Sequence, residues 1–575
     1  MKSWRKYLID ASAMILYYDA SPDGAPEASP EIVNSYTLYY LIDVILVLTN
    51  VQFIGIIYIV MNTCRAASGT APDVPDRGCP QTGKKDIDME NKKEAGLQRK
   101  LNPMHVWAIA FGCVIGWGSF INPGKKFLPN SGVAGTAIAM ILGALVMIII
   151  AFSYAYMVPK YPKAGGEFTF TKNCFGKNMA FICGWFLVVA YLTNVPMNST
   201  AIGLIVDGLD GTADILKFGF HYTIAGFDIY MGEMLFAMAI LILFGYLNII
   251  GVQKAAFVQT VLSSLLVVCV FTLCMAGIFS AKAKGINMQP VWGFDKSAAM
   301  AAGATTAEIG QYAHRGTAGV MSAILATFAI APWAYVGFDA IPQAAEEFNF
   351  SFKKVSGIMI VAIVFGCFVY TSNNTVAAAA LENWPDRVMA GDWVLLVAAE
   401  ELLGTFGKVL IGVGVSCAVL SGIMGFYLAS SRLMYSMSRD GYLPAWFGRV
   451  DGKYGTPKNA MIFCIIVSLS GPILGREALG WFVDMSAIGA SIGYFFTCAS
   501  TLITVKRHGD GTPFLKAMAV TGVVFSVAFM ILQLIPIPGL SGVHFGKESY
   551  IMLIVWIAIG LVFYIQEHRF FSAAD

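Results

Sequence analysis

Two apolar stretches of the sequence are interrupted by glycine and proline in the same way, and their breaks carry the strongest chemical signal in the chain. The first break contains Gly116, Gly118 and Pro123, and the second contains Pro332 and Gly337. Unwound backbone is tolerated at membrane depth only where it lines a cavity or is buried in protein. A pair of interrupted segments at corresponding places in two halves of a chain is the sequence pattern of a transporter's binding site.

The unwound backbone at such a break offers groups that suit a zwitterion. The N-terminus of a half-helix presents free N–H groups and a positive dipole end, which suit a carboxylate, and the facing carbonyl groups suit an ammonium group or a cation. Close approach to the backbone requires residues without a side chain, a role that Gly116, Gly118 and Gly337 fit. Glycine also lets membrane helices pack closely, and this alternative applies to each glycine taken singly.

Asp339 follows the second break directly and lies inside an apolar stretch. A carboxylate near the bilayer centre costs roughly 2.5–3.5 kcal/mol on insertion scales, so we expect it to be paired, protonated or functional. We predict that Asp339 couples transport to a proton or links a gate. A helix cap buried against polar backbone is the alternative.

Four charged residues near the ends of two apolar stretches predict an inner gate. We expect Glu346 and Glu347 to pair with Arg432 or Arg439. Solvated surface charge is the alternative for the same residues.

The composition indicates a polytopic membrane protein in a lipid bilayer. Of 575 residues, 57% are hydrophobic and 13% are charged, and the mean hydropathy is +0.66; soluble domains have about 25% charged residues. A net charge of +2 gives no reason to expect nucleic acid as a partner. The sequence has no phosphate-binding loop motif and no metal or nucleophile pattern among its Cys, His and Glu residues, so we expect no cofactor, no metal and no enzymatic activity.

About twelve core stretches reach the roughly 20 apolar residues that a spanning helix needs. They are 104–124, 132–158, 178–206, 231–250, 254–280, 318–343, 355–377, 404–436, 458–475, 479–505, 515–535 and 549–567. The loops richer in Lys and Arg are cytoplasmic by the positive-inside rule, which places both ends of the core in the cytoplasm. We expect a multi-pass protein of the plasma membrane.

The core divides into two five-helix groups, 104–280 and 318–505, followed by two extra helices and a tail at 506–575. Each group opens with an interrupted helix. Because odd-numbered repeats have inverted topology, the two breaks should meet near the membrane midplane.

Residues 1–103 form an N-terminal extension with a candidate extra helix at 37–61 and a polar linker that we expect to be disordered. We hypothesise that translation begins at Met89 and that 1–88 is an upstream artefact. A genuine accessory helix is the alternative.

In combination and order, the motifs of this chain resemble those of amino acid permeases of the amino acid–polyamine–organocation superfamily. The matching pieces are Gly116–Gly124, Tyr161–Glu167, Asn248–Val252, Tyr335–Asp339 with Glu346–Glu347, and Ser431–Tyr435 with Arg439–Pro444. The resemblance covers about 100–568. It implies an all-α polytopic membrane protein with a five-plus-five inverted-repeat transporter fold and two additional C-terminal helices. It also implies secondary transport of amino acids or close derivatives by alternating access.

The resemblance implies roles for single residues. The N–H groups of Gly116 to Ser119 would bind the substrate carboxylate, with Trp117 where many members have serine. Trp333 and Phe426 correspond to the gating aromatic residues of the family, with ordinary core packing as the alternative. Asn194 corresponds to an amide residue of the family's substrate pocket. The candidate substrate-binding residues are Val114, Gly116, Trp117, Gly118, Ser119, Asn194, Trp333, Ala334, Val336 and Gly337. The candidate gate residues are Trp333, Phe426, Glu346 and Arg432, and the coupling residue is Asp339.

In the family, the stretch after the second helix forms a short intracellular element whose position changes during the transport cycle. Here that stretch contains Glu167, and Gly165 and Gly166 would supply the bend.

The sequence leaves the coupling ion, the substrate and the distinction between transport and sensing open. In some members of the family, a lysine in the fifth helix takes the place of a bound sodium ion. The corresponding position in this chain is Leu266, so that lysine is missing. Ser263, Ser416 and Ser421 could supply oxygens to sodium, or bond back to backbone carbonyls. We expect a proton or a counter-substrate rather than sodium, and a neutral or bulky-polar amino acid. A membrane-embedded sensor that binds an amino acid without moving it is the alternative function.

Overall fold

The computed structural model describes residues 97–209, 215–224, 227–475, 478–537 and 544–572. The candidate extra helix at 37–61 and the hypothesised start at Met89 lie outside the described residues. The described chain is built from helices and one short antiparallel hairpin, β1 (His221–Ile224) and β2 (Phe227–Tyr230).

The α-helices follow one another along the chain and vary from short turns to long rods. They are α1 (Pro103–Val114), α2 (Gly118–Asn122), α3 (Leu128–Lys160), α4 (Gly166–Phe175), α5 (Lys177–Leu192), α6 (Asn194–Gly208), α7 (Met231–Ile249), α8 (Val252–Phe279), α9 (Lys296–Ala301), α10 (Gly316–Phe328), α11 (Ala331–Tyr335), α12 (Val355–Ala379), α13 (Trp384–Met389), α14 (Val394–Leu403), α15 (Thr405–Arg439), α16 (Lys458–Ser468), α17 (Ser470–Leu474), α18 (Ala478–His508), α19 (Pro513–Leu534) and α20 (Lys547–Ser572). A π turn covers Pro123–Phe127, and 3₁₀ segments cover Gly285–Met288, Thr306–Gln311, Phe338–Glu347 and Phe352–Lys354.

Within the described residues, ten helical stretches are long and apolar enough to cross a membrane. They are Gly118–Lys160, Lys177–Gly203, Met231–Ile249, Val252–Phe279, Gly316–Glu347, Phe352–Ala379, Thr405–Arg439, Ala478–His508, Pro513–Leu534 and Lys547–Gln566. Two shorter apolar helices, Pro103–Val114 and Lys458–Leu474, occupy the remaining predicted positions. The chain is therefore an all-α, multi-pass membrane protein. The sequence-based bounds differ most at the first two spans.

The predicted spans 104–124 and 132–158 are joined differently in the structure. Helix α1 ends at Val114, and a continuous helical stretch runs from Gly118 to Lys160 with a bend at Gly132, where φ is 61° and ψ is −158°. A Cβ atom at Gly132 would lie 2.2 Å from the Val291 carbonyl oxygen, so glycine is required there. The expected boundary near 132 is thus a kink inside a helical stretch.

Burial separates inner helices from outer ones. Helices α5, α15 and α18 lie mostly inside the protein, whereas α19 and α20 are largely uncovered. The outer helices expose large apolar side chains such as Val524 and Ile554. An exposed apolar surface on a spanning helix suits contact with lipid.

The main chain joins the start of the first broken segment to the end of the second. The Leu101 N–H donates to the Glu347 carbonyl at 2.9 Å, and the Asn349 N–H donates to the Leu101 carbonyl at 3.0 Å. Beside this tie, Arg432 Nη2 and Glu347 Oε1 form an ion pair at 3.0 Å, with both side chains fully buried. The two broken segments are therefore fastened together at one end.

Candidate functional site

The first broken segment is unwound between α1 and α2. The Ile115 N–H still bonds to the Phe111 carbonyl at 2.9 Å, and the Ser119 N–H bonds to the Gly116 carbonyl at 3.2 Å. Between these bonds, the N–H groups of Gly116 and Trp117 have no hydrogen-bond acceptor among the described residues. Two adjacent unpaired donors at the start of a long helical stretch can bind a carboxylate.

The second broken segment is unwound at Val336 and Gly337, between α11 and the 3₁₀ segment Phe338–Glu347. Gly337 has a φ of 130°, and its N–H donates to Asp339 Oδ1 at 2.6 Å. No N–H or O–H group of the described residues donates to the Val336 carbonyl. That carbonyl oxygen is an available acceptor for an ammonium group.

The two breaks are in direct contact. A Cβ atom on Gly337 would lie 2.4 Å from Cys113 Cβ and 2.8 Å from the Val114 nitrogen. A Cβ atom on Gly118 would lie 2.4 Å from Cη2 of Trp333. Both glycines are therefore needed for the two segments to approach this closely.

A small cavity lies where the breaks meet. Its lining consists of Cys113, Val114, Gly116, Trp117, Asn194, Met197, Asn198, Trp333, Val336, Tyr370 and Phe426. Six of the candidate substrate-binding residues line it, namely Val114, Gly116, Trp117, Asn194, Trp333 and Val336. Gly118, Ser119, Ala334 and Gly337 lie on the same broken segments without lining the cavity. None of the described lining residues is Asp, Glu, Lys, Arg or His.

Asn198 is a cavity residue that the sequence analysis did not identify. Its Nδ2 donates to the Asn194 carbonyl at 2.7 Å, but its buried Oδ1 receives no hydrogen bond from the described residues. A Cβ atom on Gly116 would lie 3.8 Å from this oxygen, so Oδ1 faces the first break. The predicted amide, Asn194, instead donates to the Ala190 carbonyl at 2.6 Å and to Ser486 Oγ at 2.7 Å. The sequence signal that could have identified Asn198 is its position one helical turn after Asn194, which places both amides on the same face of the helix.

The two candidate gating aromatics line the same cavity. The ring of Trp333 lies 6.1 Å from that of Trp117, and the ring of Phe426 stacks on Tyr191 at 6.4 Å. Trp333 is 6% exposed and Phe426 is 2% exposed, so both rings are buried. Their movement during transport remains a prediction.

The candidate gate charges form two separate ion pairs. Arg432 binds Glu347 in the buried pair, whereas Arg439 binds Glu346 at 2.6 Å with both side chains partly exposed. Glu346 and Arg432, the two charged gate candidates, therefore belong to different pairs.

Asp339 is fully buried and accepts two kinds of hydrogen bond. Its Oδ1 accepts from the Gly337 N–H, and its Oδ2 accepts from the Tyr191 hydroxyl at 3.1 Å. The first bond fixes the backbone at the second break, as the capping alternative expects. The second connects Asp339 to a neighbouring carboxyl group.

That neighbour is Glu167, near the start of the short helix α4 between two spanning stretches. Glu167 Oε1 accepts from Tyr154 at 2.6 Å and lies 3.3 Å from the Tyr191 hydroxyl oxygen, while Oε2 accepts from Gln343 Nε2 at 2.6 Å. Burial raises the pKa of the Glu167 carboxyl above its usual range, and the charge of Asp339 acts in the same direction.

Two of the three serines considered as sodium ligands, Ser263 and Ser421, already donate to backbone carbonyls. Ser263 Oγ donates to Ala108 at 3.0 Å, and Ser421 Oγ lies 3.1 Å from the Ala418 carbonyl and 3.3 Å from that of Gly112. The bond from Ser421 to Ala418 fits the alternative that a serine bonds back to its own helix, whereas Ser263 bonds to a carbonyl of α1.

The sequence matches known transport proteins along most of its length. Residues 101–563 match the sequence model described as amino acid permease. The chain is 24% identical over 505 residues to the branched-chain amino acid permease of Bacillus subtilis (strain 168), an alignment covering 84% of this chain and 96% of that protein. It is 24% identical over 496 residues to the methylthioribose transporter of the same organism, with coverages of 83% and 95%. It is 25% identical over 392 residues to large neutral amino acids transporter small subunit 2 of Homo sapiens, with coverages of 68% and 66%.

Proposed function

The chain belongs to the amino acid permease family, and from that premise we propose that it is a secondary active transporter of a neutral amino acid or close derivative. Its apolar helices and its transporter relatives support this proposal. Transport would proceed by alternating access, with the substrate enclosed where the two broken segments meet.

One observation carries the proposal: unpaired backbone groups of opposite polarity adjoin one cavity. The N–H groups of Gly116 and Trp117 would bind the substrate carboxylate, and the Val336 carbonyl would accept from its ammonium group. Asn198 Oδ1 is a second acceptor beside Gly116. This arrangement matches the two charges that every α-amino acid carries a short distance apart.

The cavity lining supports a neutral side chain on the substrate. Trp117, Trp333, Met197 and Phe426 supply apolar surface, and the described lining contains no residue that carries a full charge at neutral pH. A charged substrate side chain would lose its hydration there without gaining a partner of opposite charge.

The aromatic residues and the ion pair near the cavity support alternating access. Trp333 and Phe426 would act as thin gates, and the Arg432–Glu347 pair would close the deeper path beyond Phe426. Phe426 and Arg432 lie six residues apart on α15, or about 9 Å along the helix. We propose from the positive-inside rule that this end faces the cytoplasm. We also propose that the membrane is the plasma membrane and that Asp339 is the proton-coupling residue.

The proposal is tested with the purified full chain. A thermal-shift panel of the twenty amino acids selects ligands, because a ligand that binds only the folded form stabilises it. The chain is then reconstituted in proteoliposomes, and uptake and counterflow of the radiolabelled ligand are measured. We expect saturable uptake and counterflow. Saturable binding without either would support the sensor alternative, and the absence of any amino acid ligand would contradict both.

A further inference from the structure

Five buried side chains connect α4 to the second break, and we call them the carboxylate cluster. They are Glu167, Tyr154, Tyr191, Asp339 and Gln343, and each is fully buried or nearly so. The Tyr191 hydroxyl lies at the centre, where it contacts both carboxyl groups and accepts from Gln343 Nε2 at 3.3 Å. The cluster therefore joins a helix outside the membrane spans to the unwound backbone of the candidate site.

The single hydrogen of the Tyr191 hydroxyl is shared among three nearby acceptor oxygens. The Tyr191 oxygen lies 3.3 Å from Glu167 Oε1, 3.1 Å from Asp339 Oδ2 and 3.2 Å from the Asp339 carbonyl oxygen. A tyrosine hydroxyl carries one hydrogen, so it donates to one of these oxygens at a time. At least one carboxyl oxygen therefore faces a lone pair of Tyr191 when both carboxyl groups are ionised. A proton on that carboxyl group would let it donate to Tyr191 and turn the contact into a hydrogen bond.

No cation of the described residues balances the two carboxyl groups. The titratable groups that face them are Tyr154 of α3, Tyr191 and Cys183 of α5, Tyr494 of α18 and Cys113 of α1, all of which are ordinarily neutral. Arg432 of α15 is bound to Glu347 instead. Two adjacent buried carboxylates without a cation repel each other and lack hydration, which favours one shared proton.

The cluster also contacts the residues that form the candidate substrate site. The Tyr191 ring stacks on Phe426, which lines the cavity. Asp339 Oδ1 accepts from the Gly337 N–H, which lies in the peptide unit that contains the free Val336 carbonyl. A proton on Asp339 weakens that hydrogen bond. The Val336–Gly337 peptide, which faces the substrate, is then held less firmly in its orientation.

We propose that Glu167 and Asp339, bridged by Tyr191, form the binding site of the coupling proton, and that Glu167 is required for coupling. The proton forms an O–H bond with one carboxylate oxygen on entry, and that bond breaks on release to the opposite side, so one proton moves with each substrate. This inference rests on the proposed transport function. It adds a second ligand site, for a proton, to the site for the amino acid.

The test compares gradient-driven uptake with counterflow in proteoliposomes. An inward proton gradient of one pH unit supports about tenfold accumulation if one proton accompanies each substrate. We expect the wild type to show this accumulation and Glu167→Gln to lose it while retaining counterflow, because glutamine keeps the volume and cannot release a proton. Asp484→Asn is the matched control: Asp484 is a partly buried acid on α18 that accepts from Ser549 at 2.6 Å and lies outside the cluster. It should retain the response to the gradient.

Several outcomes would overturn the inference. Gradient-driven accumulation by Glu167→Gln would exclude Glu167 as a required group. Wild-type accumulation that follows a sodium gradient and ignores the pH gradient would exclude the proton. Should Glu167→Gln fail to fold, Tyr191→Phe provides the comparison, since it removes the bridge and keeps both carboxyl groups; undiminished proton-driven accumulation in that variant contradicts the site. Counterflow without any gradient response in the wild type contradicts the proton site alone, whereas loss of all uptake and counterflow contradicts the transporter itself.

Discussion

At the residue scale, ligand selection depends on a few polar atoms left without partners in an apolar cavity. The clearest is Asn198 Oδ1, which is buried and faces the first break. We predict that Asn198→Leu raises the dissociation constant of the substrate by about tenfold or more. A hydrogen bond to a charged group contributes about 1.5–3 kcal/mol, and 1.4 kcal/mol corresponds to tenfold. Isothermal titration of the purified chain measures the change.

Ser199→Ala is the control for this variant. The Ser199 hydroxyl donates to the Pro196 carbonyl at 2.9 Å within the same helix, and the side chain does not line the cavity. The control should bind substrate with the wild-type constant. An unchanged constant in folded Asn198→Leu would remove Asn198 from the site.

The sequence located a polar amide on this helix but selected its neighbour. Asn194 and Asn198 are chemically equivalent and one turn apart, and both line the cavity. They differ in their partners: Asn194 also donates to Ser486 Oγ of α18, whereas the buried Asn198 Oδ1 receives no hydrogen bond from the described residues. Such a distant partner cannot be inferred from local spacing, since it depends on how the helices pack.

At the element scale, the close approach of the two broken segments depends on residues without side chains. We predict that Gly337→Ala lowers the yield of folded protein and its unfolding temperature. Alanine is strained at a φ of 130°, at a cost of about 1–3 kcal/mol, and its Cβ would lie 2.4 Å from Cys113 Cβ. Size-exclusion profiles and thermal unfolding in detergent provide the measurement.

Gly357→Ala is the matched control, since Gly357 lies in α12 and a Cβ there meets no atom within 4 Å. Alanine favours a helix interior by about 1 kcal/mol over glycine, so this variant should be as stable as the wild type or slightly more so. Equal losses in the two variants would contradict a special role for Gly337.

The breaks themselves were predictable because glycine and proline interrupt helical hydrogen bonding wherever they occur together. The continuity of the long stretch Gly118–Lys160 could not be predicted from the sequence. Its bend at Gly132 depends on contact with the backbone of Val291 and Gly293, which are distant in sequence. A run of apolar residues indicates which segment crosses the lipid bilayer. It does not indicate where the helix in that segment bends.

At the scale of the whole molecule, a buried ion pair and a partly exposed one lie near each other on the same two elements. We predict that Arg432→Ala lowers the unfolding temperature much more than Arg439→Ala. Breaking a buried pair costs about 3–5 kcal/mol because the remaining charge is left without a partner, whereas exposed pairs contribute about 0.2–1 kcal/mol. Thermal unfolding of both variants under identical conditions measures the difference.

The double variant Arg432→Met with Glu347→Met separates lost pairing from lost packing. It should recover part of the stability that Arg432→Ala loses, because no charge remains buried. Equal unfolding temperatures for Arg432→Ala and Arg439→Ala would contradict the assignment of the buried pair.

Composition and hydropathy predicted the membrane class, because it depends on summed properties of many residues. Of the twelve predicted stretches, ten correspond to helical stretches of the described residues that are long enough to span a membrane, and two correspond to shorter apolar helices. The choice of partner at Glu346 and Glu347 was left open, because adjacent acids of one 3₁₀ segment differ only in the direction that the folded backbone gives them. The five-plus-five inverted repeat remains a prediction.

The tie between Leu101, Glu347 and Asn349 has a consequence for how this end of the molecule can open. Two backbone hydrogen bonds tie Leu101 to Glu347 and Asn349, and the buried ion pair ties Glu347 to Arg432 of α15, so this stretch is held to two other parts of the chain. Parting it from Leu101 alone leaves the ion pair intact. We therefore expect full opening at this end to require both attachments to break, the backbone one and the ionic one.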